Sequence, residues 1–371
     1  MATFDLNWAT TTFYGGTQPD SGNSADGRFF TQQIVSTQPS YVENADGTLK
    51  KYTSTTIVRR SSRGLAIAND RTNRLIQSRD LTNAAWTKTN VTVLKTQTGR
   101  DGVANSASQV TVTATDGTVS QAITAASVAQ TGYVDIKRIS GSGTCSMSID
   151  GGATYTVLDL SKPINNGICR PKIPRQTLAN PTVVLKFSTS GDVWFVDLVE
   201  LSDSSADLEC EPIPTTTAAV KGWRDRAAAY ITDGSPLAFW LRDQTTQVIY
   251  LEYAQRQDGA LIASDGDTNI SSNAASGLSA GFSTANAPNF SPDARLNVIN
   301  KAMFVRTPSF KKLCLNGGAI ATSTGYTPDG TGTHYDIGTN GAGALSLQGM
   351  IKRCWFGTIV PSDAVMQAFT T

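Results

Sequence analysis

One histidine, His334, is all that 371 residues contain. A Ser–His–Asp triad or a multi-histidine metal centre would have to be built around that single side chain, which lies in the Gly- and Thr-rich "TGTHYDIG". No catalytic residue and no cofactor are therefore expected. Charge is balanced, with 31 basic against 30 acidic residues and a net of +1. There is no Lys/Arg-rich block to follow a phosphate backbone, so nucleic acid is not an expected partner. No run approaches the ~18 to 20 apolar residues that span a bilayer, and "MATFDLNWATTTFYGG" lacks the charged and apolar regions of a secretory signal. Synthesis in a cytoplasm, without membrane insertion, is the expectation. The five cysteines are odd in number and show no CxxC or His-paired spacing, which disfavours a metal site. Cys145 with Cys169, or Cys314 with Cys354, could face each other on neighbouring strands, but cytoplasmic synthesis favours free thiols, Cys210 included. Repeats of 20–50 residues and heptads are missing too, which excludes a β-helix spike and a coiled-coil stalk.

What the chain does have is strand pattern. "SQVTVTA" (108–114), "TVVLKFS" (182–188), "VWFVDLVEL" (193–201) and "VIYLEYA" (248–254) are alternating or β-branched, short, and bounded by turn residues. Asp-Gly pairs begin at Asp26, Asp46, Asp101, Asp116, Asp150, Asp233, Asp258, Asp265 and Asp329, and supply the positive φ that tight antiparallel turns need. The fold class expected is all-β, with sandwiches ahead of barrels. One helix is predicted at the C-terminus, in "PSDAVMQAF": Ser362 caps it, Asp363 suits the positive end of its dipole, and Val365, Met366 and Phe369 share a face.

Composition divides the chain into three. Residues 1–69 are rich in Thr, Ser, Gln and Gly with scattered aromatics, and read as an irregular arm. Residues 70–214 and 215–371 read as two antiparallel β-sandwich modules, separated by the Pro-bearing "ECEPIPTTTAAVKGWRDRAA" (209–228). In "DRTNRLIQSRDLTNAAWTKTNVTVLK" (70–95), the polar run Asp70–Asn73 need not pack, since it is expected to cross from the leader to the sandwich edge. Leu75 and Ile76 are expected to begin the core, Trp86 to plug it, and Val91 and Val93 to start an alternating strand.

"YVENADGTLKKY" (41–52), "RSSRGLAIANDRTNRLIQSRDLTNAAWTKTNVTV" (60–93) and "CEPIPTTTAAVKGWRDRAA" (210–228), in this order and spacing, resemble virion surface proteins of tailed bacteriophages. In that family a leader ends in a "DGTL" turn, a "NAAW" segment opens a jelly roll similar to carbohydrate-binding modules, and an "IPTT" segment closes it. The sequence departs from the pattern at Ala66, Ala68 and Asn69, where relatives carry bulkier apolar residues and a glutamate. The segment "HYDIGTNGAGALSLQGMIKRCWFGTIVPSDAVMQAF" (334–369) is similar to the end of a concanavalin A or laminin-G type sandwich.

The resemblance implies a structural protein of the virion exterior, on capsid, neck or tail, with the arm as anchor. Its implied partners are other virion proteins, further copies of itself in a homotrimer, and host surface polysaccharide. A receptor-binding tail protein is the alternative, and a polysaccharide depolymerase a third. For the third, acid pairs such as Asp197 with Glu200 or Asp243 with Glu252 would have to face each other across a sugar.

Sugar recognition by sandwiches uses aromatic faces and polar loop groups. Trp194, Phe195, Phe239, Trp240 and Trp355 lie in strand-like runs and read as core. Tyr326, Asp329, His334 and Tyr335, in "STGYTPDGTGTHYD", are the loop candidates for glycan contact. "DGDTN" gives Asp265, Asp267 and Asn269 the spacing of a calcium loop, but Ile270 and Ser276 occupy the positions where such a loop needs Gly and Glu. It reads as a polar hairpin, with a rim calcium implied only by the laminin-G resemblance.

Overall fold

A computed structural model describes residues 4–7, 12–13, 31–34, 40–52, 60–67, 71–203, 211–221, 225–231, 246–255, 259–264, 269–273, 277–281, 298–324, 335–337 and 349–371. The protein is all-β, built as antiparallel β-sandwiches. It divides into two compact units: Gln38–Lys51 with Asp70–Gly222, and Met1–Thr37 with Tyr52–Asn69 and Trp223–Thr371.

The first unit is a sandwich of two sheets. One runs Val91–Gln97, Ala107–Val112, Val193–Ser202, Val128–Ser140, Gln176–Leu178; the other runs Thr156–Val157, Cys145–Ser148, Thr182–Phe187, Gly117–Ala122, Thr87–Thr89. The period of two in the sequence becomes burial: Gly117–Ala122 alternates buried and half-buried up to an exposed Ala122, and its inward Val119 joins Val110, Val134, Ile136, Leu185, Phe187, Trp194 and Val196 in one core. Trp86 is 1% exposed in that core, with its indole N–H donating to the Gln77 carbonyl at 3.0 Å. Its packing role is as expected, and so is the role of Leu75, fully buried in the same core.

The polar run before them is a correction. Arg71 is 7% exposed and Asn73 is 0% exposed, so these two side chains pack. The Asn73 amide donates to the carbonyls of Val199 and Ile213 and accepts from the N–H groups of Leu75 and Leu201. One side chain thereby ties the start of the module to its end, and all of its polar capacity is used. Residues 211–215 of the Pro-bearing segment are packed as well: Thr215 N–H donates to the Ser78 hydroxyl while Ser78 N–H donates to the Thr215 hydroxyl.

Four of the Asp-Gly pairs lie wholly among the described residues, and each carries positive φ: Gly47 (77°), Gly102 (75°), Asp116 (58°) and Gly151 (76°). Residues 1–69, read as an arm, supply short strands to both units. Ser40–Glu43 pairs with Leu49–Tyr52, while Phe4–Asn7, Thr31–Ile34 and Gly64–Ile67 pair within the second unit.

The second unit has a sheet ordered Thr12–Phe13, Phe4–Asn7, Gly349–Gly357, Gln247–Gln255, Asn300–Arg306, Phe310–Leu315, Ala321–Thr324. A second sheet runs Gly277–Gly281, Asn269–Asn273, Gly259–Ser264, Tyr335–Ile337, Asp225–Ile231, Thr31–Ile34. The predicted helix forms at Asp363–Thr370, and the Ser362 hydroxyl accepts from Val365 N–H at 3.3 Å. Of the three residues expected on one face, Met366 is fully buried, while Val365 is 42% and Phe369 60% exposed. The four described cysteines, Cys145, Cys169, Cys314 and Cys354, are buried free thiols; Cys210 lies outside the described residues.

Candidate functional site

Among the loop candidates, Tyr326, Asp329 and His334 lie outside the described residues, as do Asp265 and Asp267 of the calcium-spaced run. Tyr335 opens the strand Tyr335–Ile337, opposite Ser264 on one side and Ile231 on the other. Asn269 opens Asn269–Asn273, opposite Ala263 and Gly281. Trp194 and Phe195 are core, as read; Phe239, Trp240 and Asp243 are outside the described residues.

The acid pair Asp197 and Glu200 has a different use. Both are 0% exposed and belong to a buried ionic network on the sheet face away from the core. Arg79 donates Nε and Nη2 to the two Asp197 oxygens, each at 2.9 Å, and also holds Asp101 at 2.6 and 3.0 Å. Glu200 accepts from Arg71 and, at 2.8 Å, from Arg170, whose other Nη reaches Asp135 at 2.7 Å. Asp135 in turn accepts from Arg100 at 3.0 Å.

Burial pushes the Asp197 carboxyl up to about 7 against the pull of Arg79, with the neighbouring Asp135 charge adding to the rise. Burial and the adjacent Asp101 raise the Tyr41 phenol to about 12. These carboxylates are enclosed and claimed by guanidinium groups, an arrangement that welds loops to a sheet and leaves no oxygen free for a sugar.

A cleft in the second unit has the opposite character. It holds about 210 Å³ and is lined by Tyr250, Met303, Arg353, Trp355, Ile359, Pro361, Val365 and Phe369. The register builds it. Tyr250 sits directly opposite both Trp355 and Met303 on adjoining strands, and Arg353, two residues before Trp355, falls on the same face. The helix packs Met366 onto this sheet and leaves Phe369 as a side wall, its ring edge-on to Tyr250 with centroids 6.4 Å apart. The Trp355 indole lies over Gly357, where a Cβ would come within 2.6 Å of the ring. Glycine there lets the indole lie flat against the strand.

Among the described residues, the polar groups of the cleft are few. The Tyr250 hydroxyl donates to Glu252 at 3.0 Å, and the other Glu252 oxygen is paired with Lys352 at 3.3 Å. Among the described residues, Arg353 is the one charged residue in the lining.

Strand pattern made Trp355 read as core, and it sits half-buried on the cleft wall; Val365 and Phe369 are exposed there. The helix is about two turns long and turns Met366 and Thr370 inward, with Val365 and Phe369 left exposed.

A more polar cleft of about 360 Å³ lies in the first unit, among Tyr41, Lys51, Gln77, Arg79, Asp80, Lys95, Ser106 and Thr215. Its Arg79 is saturated by the network, and Lys95 is paired with Asp80 at 3.1 Å. Among the described residues no group of three His, Cys, Asp or Glu side chains could hold a metal ion.

No family model matches the sequence, and no curated protein matches it. Solved structures that match the chain include the Ruminococcus gnavus IT-sialidase CBM40 bound to α2,3-sialyllactose (18% identity, 38% of this chain and 91% of that one, TM-score 0.33). Two others are domains LG4-5 of the mouse laminin α1 chain (10% identity, 79% and 90%, TM-score 0.27) and truncated AlyQ with CBM32 and alginate lyase domains (10% identity, 80% and 93%, TM-score 0.22).

Proposed function

We propose that the protein is a non-catalytic structural component of the exterior of a tailed-phage particle whose second sandwich contacts carbohydrate. The observation that carries the carbohydrate part is the cleft formed by Tyr250, Trp355 and Phe369. Sugar rings present one C–H face to aromatic surfaces, and two rings at the floor and wall of a cleft of about one sugar's size suit that contact. The virion part rests on the ordered resemblance at 41–52, 60–93 and 210–228. Association into a trimer would turn weak single-site binding into avidity.

Two measurements test the reading. Antibody against the chain should label mature particles of the phage that encodes it; particles without it would end the virion assignment. The purified full-length chain should bind host cells saturably and compete with those particles for adsorption, and Trp355→Ala should abolish the competition. Competition that survives this substitution would place the contact elsewhere.

A further inference from the structure

We infer that the polar cleft of the first unit is a binding site for a small hydroxylated carboxylate of the sugar-acid type, seated on Lys51, Gln77 and Thr216. It lies wholly within that unit and does not rest on the carbohydrate reading of the second. Stretches far apart in sequence build it. The leader supplies Lys51, the entry to the sandwich Gln77 and Asp80, the strand Val91–Gln97 Lys95, and the exit Pro214 and Thr216. Its volume of about 360 Å³ is that of a small-molecule pocket.

Gln77 is the residue that points to a ligand. Eight non-glycine residues among those described have positive φ, and six of them are Asn or Asp, which tolerate it best. Leu198 (46°) is accounted for by its packing against Tyr41 and Leu49. Gln77 (50°) has no comparable packing role. Its backbone is pinned, the N–H donating to the Thr216 carbonyl at 2.7 Å and the carbonyl accepting from Asp80 N–H and the Trp86 indole, each at 3.0 Å. Its side-chain amide lines the cleft and makes no hydrogen bond within the protein. A disfavoured backbone conformation that presents an uncommitted amide to a cleft is the kind of strain found at ligand sites.

The Lys51 ammonium and the Thr216 hydroxyl are uncommitted as well. The carboxylates behind them are already claimed: Arg79 holds Asp101 and Asp197 through two hydrogen bonds each, and Lys95 pairs with Asp80. The open charge is therefore that of Lys51, and a ligand carboxylate can accept from its ammonium, the Gln77 amide and the Thr216 hydroxyl together. Asp80 accepts from Thr82 N–H, the Thr82 hydroxyl and Lys95, which leaves one of a carboxylate's about four acceptor positions for a ligand hydroxyl. Pro214 and Val220 offer apolar surface to its C–H groups.

The test titrates the full-length chain with D-glucuronate by saturation-transfer NMR, with D-glucose and inorganic phosphate as comparators. Glucuronate is expected to bind saturably, at least ~10-fold more tightly than either comparator, and to weaken as salt rises. Lys51→Ala removes an exposed, unpaired ammonium and should weaken binding about 5- to 10-fold with an unchanged melting curve. Gln77→Asn draws the amide back by one methylene but suits the left-handed backbone better, so binding should fall while the melting temperature holds or rises. A glutamine with a purely structural role would not divide the two readouts in that way. Folded Trp355→Ala should bind glucuronate as the wild type does, which separates this site from the cleft of the second unit. Absent glucuronate binding, a comparator that binds as tightly, wild-type affinity in Lys51→Ala or Gln77→Asn, or lost affinity in Trp355→Ala each overturns the inference. The carbohydrate reading of the second unit is decided separately, by competition on cells.

Discussion

Arg100 has no exposed side-chain surface, and its guanidinium is divided among three partners from different parts of the chain. It donates twice to the Gly47 carbonyl, at 3.0 and 2.8 Å, once to Glu43 at 2.5 Å and once to Asp135 at 3.0 Å. Arg100→Met keeps much of the volume but leaves the Gly47 carbonyl unpaired and removes one of the two cations on Asp135. The expected cost is about 3–5 kcal/mol, the range for breaking a buried ion pair from one side. Urea unfolding reads it as a lower midpoint at unchanged slope; a loss under about 1 kcal/mol would mean the network is solvated in solution. Asn73→Ala is expected to cost about 3 kcal/mol, because it strands buried backbone groups at both ends of the module.

These residues also mark where sequence reading stops. The strands at 108–114, 182–188 and 193–201 were legible because a period of two is a property of neighbours along the chain. The destinations of Arg71, Arg79 and Asn73 were not, because their partners Glu200, Asp197 and Ile213 lie more than a hundred positions away. A polar run that is buried by long-range pairing has the same local composition as one that is solvated.

At the scale of elements, two turns show what the Asp-Gly pairs do beyond reversing the chain. Gly47, at φ 77°, lets the turn after Ser40–Glu43 press against the loop at Ile164, and a Cβ there would collide with the Ile164 carbonyl. The "DGTL" of the leader is therefore a docking surface for the sandwich as well as a turn.

In the turn after Cys145–Ser148, Asp150 accepts from the Ser148 hydroxyl at 2.6 Å, from Thr154 N–H at 3.0 Å and from the Thr154 hydroxyl. Slight burial pushes its pKa up, but these hydrogen bonds prevail and hold it at about 2. A carboxyl depressed on folding adds stability that is complete above its unfolded value near 4 and is lost as pH falls towards 2. The wild type should therefore exceed Asp150→Asn in stability at pH 6, and the gap should close between pH 4 and 2. Parallel pH profiles for the two proteins would contradict this role.

The Asp363–Thr370 helix is the counterpart on the second unit. Its cap was readable from Ser362, but whether Phe369 turned inward depended on the room left by Tyr250 and Trp355, which no local pattern records.

For the whole molecule, the two units are interleaved in sequence. Gln38–Lys51 groups with Asp70–Gly222, and the segments on either side of it group with Trp223–Thr371. The strand Gly349–Gly357 has Gln247–Gln255 along one edge; along its other edge Phe4–Asn7 pairs with residues 353–356 and Gly64–Ile67 with residues 349–351. A fragment beginning at residue 223 would lack both covering strands and would expose a long row of unpaired backbone groups, a template for self-association. Such a fragment is expected to aggregate, and co-expression with residues 1–69 should restore a soluble species.

Fragment 38–222 should instead unfold in one cooperative step, because its core and ionic network are both internal to it. Fragment 70–222 lacks Glu43 and Gly47, so Arg100 loses two of its three partners, and its unfolding midpoint should fall clearly below that of 38–222. Size-exclusion chromatography and urea titration of the three fragments decide between this interleaved arrangement and a simple arm followed by two independent modules. A monomeric, cooperatively folded 223–371 would favour the simple arrangement, since it would show that the edge strands from the first 69 residues are dispensable.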